Sequence, residues 1–460
     1  MTFPMKRLLL ASLLLLSGCS NQSHPKPDPE LQVPERWTTG TTGALKAPDT
    51  WWTNFADPQL NTLIEQALSR NNDFATAALR VRRAQLQAAQ IDTNRTPNLS
   101  VGANATKTHT FDPAATFNSS GASAGLSFEL DLWGKLASQR AAAHLEAEAS
   151  EADCRAFAIS LLGTTSQLYW QLAYLNQQLA LSSADIDYAQ RTLDLTRARH
   201  AAGAVSSLNI VQAELNLSTQ EAARTQLVQQ RVETQHALAL LLNQPPETQV
   251  IEPTGFNTAP LPEVAAGLPA EMLANRPDLH SAERRLRASL ANVDFTRTYF
   301  YPTFSLTGSL GTSSSTLLNL LQNPAATLGV GLTLPFVQWN TTQLAIRVSE
   351  NQYQETVINY RQRLYNALAE VEDSLSGRSQ LLAEAEKLEL ALSQARRAES
   401  IAETRYKAGM TDLQLWLDAQ SRLRSIERSA LLNRYKQLNT QATLYRALGL
   451  GAGSALVRCH

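Results

Sequence analysis

The stretch Ala124–Leu132 reads AGLSFELDL, with an apolar residue at every even position and a small or charged residue at every odd one. This period of two predicts a β-strand with one apolar face and one polar face. The residues that follow, 135–202, contain almost no Gly or Pro and are rich in Ala, Leu, Gln and Glu. That composition predicts a helix about 100 Å long if it is continuous. A short amphipathic strand joined to a very long helix is therefore the predicted building unit of the fold.

Three further segments alternate in the same way: 99–105, 304–310 and 328–336. Each strand is predicted to be about ten residues long, the length that crosses a bilayer as a tilted strand. Aromatic residues gather at the strand ends, as in the interfacial girdles of membrane barrels: Phe111, Trp133, Tyr299, Phe300, Tyr301 and Trp339. On the strands alone, two soluble amphipathic hairpins are the alternative interpretation.

The chain contains an internal duplication. Arg199–Gly203, RHAAG, matches Arg405–Gly409, RYKAG, and the offset stays constant to the end of the next helix. Residues 341–408 form a second helical stretch as long as the first. Each half is predicted to contain a helix, a strand hairpin, a long helix, a glycine turn and a further helix. Apolar spacings of three, four and seven in 135–202 favour coiled-coil-like packing, in an extended tube or in a helical bundle.

The first residues have the pattern of an exported lipoprotein. Lys6 and Arg7 precede the apolar run Leu8–Leu16, and small residues lead to Cys19. This order predicts a signal peptide over residues 1–18. Its end resembles a bacterial lipobox, which implies lipidation of Cys19 and an outer-membrane location, with an ordinary signal peptide as the alternative. Two or more acyl chains hold a protein stably on a membrane.

The composition argues against several classes of protein. The net charge of −1 and the absence of a basic stripe argue against nucleic acid as a partner. The seven His are scattered, and no catalytic, metal-binding or cofactor-binding motif is present, so no enzyme, metal or cofactor is expected. Cys154 and Cys459 lie so far apart in the sequence that no disulfide framework is predicted.

Membrane crossing by helices is not expected either. After the signal peptide no run of 18 apolar residues occurs, so a spanning chain would have to use strands in a closed barrel. Four strands are too few to close a membrane barrel, since the smallest have about eight. The chain must then share a barrel with copies of itself, and a conduit favours three copies, which together supply twelve strands.

Several motifs carry a family resemblance. Trp51–Leu60 reads WWTNFADPQL, Leu130–Lys135 reads LDLWGK, and Leu268–Pro269 is followed by Asn275–Leu279, NRPDL. Together with the lipobox and the repeat, their order and spacing resemble the TolC-like outer membrane factors, in the NodT-type lipoprotein branch of efflux systems. The resemblance covers essentially the whole mature chain. One departure is the segment Pro335–Asn340, which lacks the Gly-Gly turn that relatives often have, so the local backbone is left open.

The resemblance implies a mainly α protein with membrane β-strands. Long coiled-coil-like helices form a periplasmic α-barrel, and four strands per chain contribute to the 12-stranded β-barrel of a homotrimer. The implied domains are a signal peptide (1–18), an N-terminal equatorial arm (19–58), a first repeat (59–243, hairpin about 98–133), an equatorial linker (244–277), a second repeat (278–449, hairpin about 303–337) and a C-terminal tail (450–460).

The implied function is passive export of small molecules such as drugs, toxic compounds or siderophores. The implied partners are a periplasmic adaptor (membrane fusion) protein, an inner-membrane pump and outer-membrane lipid. A duct for secreted proteins and a lipid-anchored periplasmic scaffold without a pore are the alternatives. An adaptor protein fits poorly, because no lipoyl-like domain is apparent.

Two sets of site residues follow. The glycine turns are predicted to be tips that contact the adaptor, with simple turns as the alternative: Gly203, Ala204, Val205, Gly409, Met410 and Thr411. By resemblance, a periplasmic gate is formed by Tyr406, Asp412 and Asp418. In a trimer the Asp418 carboxylates would converge and favour cations, whereas the alternative is a solvated Asp on an outer face. Asn209 and Leu415 stand where relatives often carry acids, so this gate is expected to be less acidic.

Overall fold

The computed structural model describes residues 33–38, 49–257, 259–264, 267, 269, 274–316, 323–451, 453 and 459. The account below concerns the unit Pro34–His460. The predicted signal peptide, Cys19 and Leu268 lie outside the described residues. Within the described ranges, no helix has a stretch both long enough and apolar enough to span a membrane.

Helices and strands follow one another in the order that the duplication predicts. The helices are α1 (Pro58–Arg70), α2 (Asn72–Asp92), α3 (Lys135–Ala201), α4 (Ser207–Leu241), α5 (Pro277–Tyr299), α6 (Trp339–Lys407) and α7 (Leu413–Ala447). The strands are β1 (Asn98–Phe111), β2 (Ala114–Leu130), β3 (Thr303–Ser314) and β4 (Pro324–Thr333). With 67 and 69 residues, α3 and α6 are each about 100 Å long, as predicted.

The strands form one antiparallel sheet in the order β1-β2-β3-β4. The register pairs Leu99 with Leu126, Phe128 with Leu306 and Phe304 with Leu332, so apolar residues of neighbouring strands meet on one face. Many of them are exposed in a single chain, and Leu328 keeps 92% of its surface. The opposite face carries Ser, Thr, Asn and Gly at nearly every position. The predicted four strands are confirmed, with one apolar and one polar face.

The two repeats differ where a hairpin leads into its long helix. In the first repeat Gly134 has φ 74°, and the Asp131 carboxylate accepts hydrogen bonds from the backbone N–H groups of Leu136 and Ala137 at 3.0 and 2.8 Å. This carboxylate satisfies N–H groups that the first helical turn leaves free. In the second repeat a short 3₁₀ helix, Pro335–Val337, precedes α6 without any glycine. The Gly-Gly turn is therefore replaced by a proline-led 3₁₀ turn.

A buried aromatic cluster and a disulfide join the ends of the chain to α3. Trp51 stacks on Tyr445 with 5.0 Å between ring centroids, and Phe55 packs on Trp170 at 4.9 Å. Cys154 of α3 is bonded to Cys459. The sequence predicted no disulfide framework because these two cysteines lie far apart in the chain. The structure corrects this expectation, because the end of the chain lies against the first half of α3 and the Cα atoms are 6.1 Å apart.

Candidate functional site

The two glycine turns have the same backbone geometry. Gly203 has φ 73° and Gly409 has φ 74°, a conformation that costs glycine little and other residues much more. The N–H of Gly203 bonds to the carbonyl of His200, and that of Gly409 to the carbonyl of Tyr406, both at 2.9 Å. These bonds close α3 and α6 in the same way, so the chain reverses direction sharply after each long helix.

The predicted tip residues lie in these turns and mostly at the surface. Gly203, Ala204, Gly409 and Met410 are exposed, Met410 with 68% of its surface, whereas Val205 and Thr411 are half-buried. An exposed Met is an adaptable apolar contact, since its side chain is flexible and polarizable. The turns are therefore accessible to a partner in the single chain.

A buried cluster holds the two tips together. We call it the tip cluster; it comprises Leu193, Ala213, Ala402, Tyr406, Leu413, Trp416 and Leu417. Its members come from α3, α4, α6 and α7, so it packs both helix hairpins against each other just behind the glycine turns. Relative movement of the tips would have to break this packing.

Tyr406 lies at the centre of the tip cluster and keeps only 1% of its surface exposed. Its ring stacks on Trp416 with centroids 5.2 Å apart, and the guanidinium carbon of Arg199 lies 4.5 Å from its centroid. Arg199 also donates a hydrogen bond to the backbone carbonyl of Tyr406. The Tyr406 hydroxyl is 3.4 Å from Thr196 Oγ1, a weak contact. Ring and backbone thus carry most of the interaction of this residue.

Glu399 of α6 fixes the neighbouring aromatic residues. Its carboxylate accepts a hydrogen bond from Trp416 Nε1 at 2.9 Å and another from the Tyr188 hydroxyl. Burial raises the pKa of Tyr188, and the carboxylate beside it raises that pKa further, so the hydroxyl keeps its proton at neutral pH. Glu399 therefore orients the ring on which Tyr406 stacks.

The two predicted acidic gate residues lie at the surface. Asp412 directly precedes α7, and Asp418 lies within its second turn. Both are exposed, and the Asp418 carboxylate accepts a hydrogen bond from Gln414 Nε2 at 2.7 Å. Neither is hydrogen-bonded to Tyr406 among the described residues. The three predicted gate residues therefore occupy one end of the molecule but form two separate groups, one buried and one exposed.

The NRPDL motif forms a buried ionic junction. Arg276 is 7% exposed and donates to the Asp278 carboxylate, to Glu370 Oε2 at 2.9 Å and to the carbonyl of Ala447 at 3.0 Å. Burial alone would raise the pKa of Asp278, but the hydrogen bonds and charge of Arg276 outweigh it and lower that pKa. The junction ties the start of α5 to α6 and to the end of α7.

Aromatic and charged residues meet where the strands end and the long helices begin. Trp133 Nε1 donates to the carbonyl of Pro302 at 2.7 Å, and its ring packs edge-on against Tyr301. Lys135 forms an ion pair with Glu129, the charged residue on the polar face of β2, and its Nζ lies 5.6 Å from the Tyr299 ring centroid. An amphipathic ring with a polar tip suits a boundary between lipid and water.

The sequence alone did not point to Arg199, Glu399, Trp416 or Arg276 as individual residues. Arg199 was visible only as the first residue of the repeated RHAAG motif, and Arg276 only as part of NRPDL. Among the described residues, no group of three or more His, Cys, Asp or Glu side chains could hold a metal ion.

Comparison with known proteins gives consistent matches. A family model described as outer membrane efflux protein matches residues 63–244 and 268–450. The chain is 31% identical to the pyoverdine export outer membrane protein OpmQ of Pseudomonas putida, over 98% of both chains. It is 30% identical to the cation efflux system protein CusC of Escherichia coli, over 97% of this chain and 99% of that one.

A solved structure shares the fold. The open state of the Neisseria gonorrhoeae outer membrane channel MtrE superposes with a TM-score of 0.81 at 28% identity, covering 93% of this chain and 98% of that one. The two separate segments matched by the family model agree with the duplication found in the sequence.

Proposed function

The chain belongs to the outer membrane efflux protein family and is an outer-membrane efflux channel, and from this premise we propose that three copies form one passive duct for small molecules. The observation that carries the proposal is the sheet. One face is apolar and exposed, the other is lined by small polar side chains, and the outer edges of β1 and β4 have no partner strand within the described chain.

The unpaired outer edges of the sheet need partner strands, which further copies of the chain can supply. Inside a bilayer each backbone N–H and C=O group must find a partner, because no water is available there. Pairing β1 of one chain with β4 of the next satisfies both edges and closes a barrel when three chains contribute twelve strands. The apolar face then contacts lipid, and the polar face lines the lumen.

The lining of the lumen suits a passive duct. Its side chains are mainly small hydroxyl and amide groups, and the charge of Glu129 is balanced by Lys135. Such a lining hydrates well but offers no strong binding group for a particular solute. The names of the relatives, which refer to pyoverdine export and cation efflux, fit a duct whose cargo is chosen elsewhere. We assign that choice to an inner-membrane pump reached through a periplasmic adaptor.

The tips are the proposed contact with the adaptor. Both turns are exposed and lie at the same end of the helices as the tip cluster. A photo-reactive residue at Ala204 or Met410 should capture the adaptor in cells. Capture only near residues 244–277 would reverse this assignment.

The proposal also includes lipidation at Cys19 and a division of the chain into six segments: 1–18, 19–58, 59–243, 244–277, 278–449 and 450–460. The disulfide between Cys154 and Cys459 supports an oxidising compartment outside the cytoplasm, where such bonds persist. Cys19→Ala should abolish fatty-acid labelling of the mature protein. Equal labelling of the variant and the wild-type protein would refute the lipid anchor.

The decisive experiment combines conductance with cross-linking. The purified protein should give single-channel currents in planar bilayers, and a thiol cross-linker should join Asn104→Cys of β1 to Thr327→Cys of β4 in covalent trimers. Each single variant is the matched control and should give no trimer. If the protein gives neither current nor covalent trimers, the lipid-anchored periplasmic scaffold without a pore is favoured instead. Passage of folded polypeptides, with small-molecule efflux unchanged by deletion of the gene, would favour a duct for protein secretion.

A further inference from the structure

A polar groove of about 540 Å³ lies between α4 and α7. Its lining includes Asn216 of α4 and, along α7, Arg424, Arg428 and the serine stripe Ser421, Ser425 and Ser429. Leu417 lines the groove and also belongs to the tip cluster, so the groove begins where the tip cluster ends.

Arg424 is a buried cation without an ion-pair partner among the described residues. It keeps only 8% of its surface, and its one recorded hydrogen bond reaches Asn216 Oδ1 at 3.5 Å, the outer limit for such a bond. Burial lowers the pKa of Arg424, and so does the nearby Arg428, whereas Asp185, Tyr188 and Glu399 raise it. A buried guanidinium is costly unless its N–H groups find acceptors. Arg424 therefore has donor capacity that the described chain leaves unused.

The acidic groups around Arg424 are already engaged or lie at the surface. Asp185 forms its ion pair with Arg428 at 3.3 Å. Glu399 accepts hydrogen bonds from Tyr188 and Trp416. Asp418, which also lines the groove, is exposed and accepts a hydrogen bond from Gln414. Among the described residues, no carboxylate lies within ion-pair distance of the Arg424 guanidinium, whereas Arg428 is paired with Asp185.

A second unused donor belongs to Asn216. Its Nδ2 is buried and has no hydrogen-bond partner in the part of the chain that the structure describes, while its Oδ1 accepts from Arg424. Ser421 and Ser425 supply hydroxyls along the same groove, whereas the Ser429 hydroxyl donates to the backbone carbonyl of Ser425 at 2.9 Å. A guanidinium fork, an amide N–H group and hydroxyls together are complementary to an oxyanion, which offers only acceptors.

We propose that this groove binds the oxyanion group, a carboxylate or a phosphate, of a small organic cargo molecule, with Arg424 as the principal ligand and Asn216 as its neighbour. The proposal rests on the proposed function, because cargo reaches the groove only if the chain forms a duct. The site adds a step that selects anions just behind the tips. The other residues that line the duct discriminate only weakly between solutes.

Equilibrium dialysis of the purified full-length protein tests the site, with citrate and inorganic phosphate as probes. We expect citrate to bind to the wild-type protein and to Arg422→Gln, a matched control in which an exposed arginine of the same helix is replaced. Arg424→Gln should bind citrate about tenfold more weakly or worse, and Arg424→Lys should retain part of the affinity because it keeps the charge. Retention of affinity in Arg424→Gln would overturn the site. Binding of phosphate but not citrate would overturn the assignment to organic cargo.

Bilayer recordings separate this proposal from the proposed function. Citrate should reduce the current of the wild-type channel and of Arg422→Gln, and should leave the current of Arg424→Gln unchanged. Absence of any current would refute the duct, whatever the dialysis shows. If the current is normal and citrate reduces it equally in Arg422→Gln and Arg424→Gln, the anion site in the groove is refuted but the duct is not. Circular dichroism of Arg424→Gln establishes that the variant is folded before either result is interpreted.

Discussion

The guanidinium of Arg199, in the last turn of α3, lies over the ring of Tyr406, in the last turn of α6, and donates to that residue's backbone carbonyl. The two residues belong to different repeats, so this contact links one tip directly to the other. A cation over an aromatic face contributes about 0.5–2 kcal/mol, more when water is excluded. We expect Arg199→Ala to loosen the tips and make the resting channel leakier to large antibiotics.

Antibiotic susceptibility and resting conductance measure that leak. Arg191→Ala is the matched control, because Arg191 lies over the Tyr188 ring on the same helix but outside the turn. Tyr406→Phe should leak less than Arg199→Ala, since it removes only the 3.4 Å contact with Thr196. Equal leak in Arg199→Ala and Arg191→Ala would show that the contact between Arg199 and Tyr406 does not hold the two tips together.

Asp418 is expected to govern block by divalent cations. Its carboxylate is exposed and held by Gln414, and three copies around a trimer axis would attract cations. Asp418→Asn should weaken block of the bilayer current by divalent cations. Glu427→Gln, on the same helix but paired with Arg396, is the control and should leave block unchanged. If both variants are blocked like the wild-type protein, the acidic gate lies elsewhere.

The two faces of β2 should respond differently to a charge. Leu126→Arg places a cation on the apolar face, where an Arg at the bilayer midplane costs about 2–4 kcal/mol. Ser127→Arg, one residue along, lies on the polar face and should be tolerated. The yield of heat-resistant trimers in membranes gives the comparison. Equal yields would refute the assignment of the faces, and a lower yield for Ser127→Arg would reverse it.

The disulfide should stabilise the fold measurably. Cys459→Ala is expected to lower the free energy of unfolding by about 2–4 kcal/mol, the usual range for a native disulfide. Thermal unfolding with and without a reductant measures the effect. The reductant should lower the midpoint of the wild-type protein to that of Cys459→Ala and leave the variant unchanged. A reductant effect of similar size in the variant would trace the stabilisation to something else.

The Arg276 junction makes stability depend on acid pH. Arg276 lowers the pKa of Asp278 in the folded state. The contribution of this ion pair to the free energy of unfolding is therefore complete at pH values above the unfolded pKa of about 3.9. It is lost as the pH falls through the lower, folded pKa. Arg276→Gln should cost about 3 kcal/mol at neutral pH, the low end for a broken buried ion pair, since Asp278 and Glu370 are partly exposed.

Unfolding monitored from pH 7 to pH 2 checks this prediction. The stability difference between the wild-type protein and Arg276→Gln should shrink as the pH falls below 3.9. Arg284→Gln is the control, because its ion pair with Glu148 is exposed and contributes little. A difference that stays constant with pH would show that Arg276 acts through packing and its bond to Ala447 alone.

The sequence predicted those features that depend on local pattern. Period-two alternation located the strands, helix-forming composition located α3 and α6, and repeated glycines located the turns. The contact between Arg199 and Tyr406 was not predictable, because 207 residues separate them and only the packing of two hairpins brings them together. The bond from Cys154 to Cys459 was missed for the same reason, since it depends on the path of the chain after α7. Long-range pairs have no periodic signal in a single sequence.

The bond between Cys154 and Cys459 spans 305 positions and therefore closes a covalent ring. Both glycine turns, the second strand hairpin and most of α3 belong to this ring. A protease that cuts once at either turn would open the ring without releasing a fragment, and the nicked molecule would keep its mass until a reductant is added. A single cut at either turn would thus leave the two repeats covalently tethered to each other.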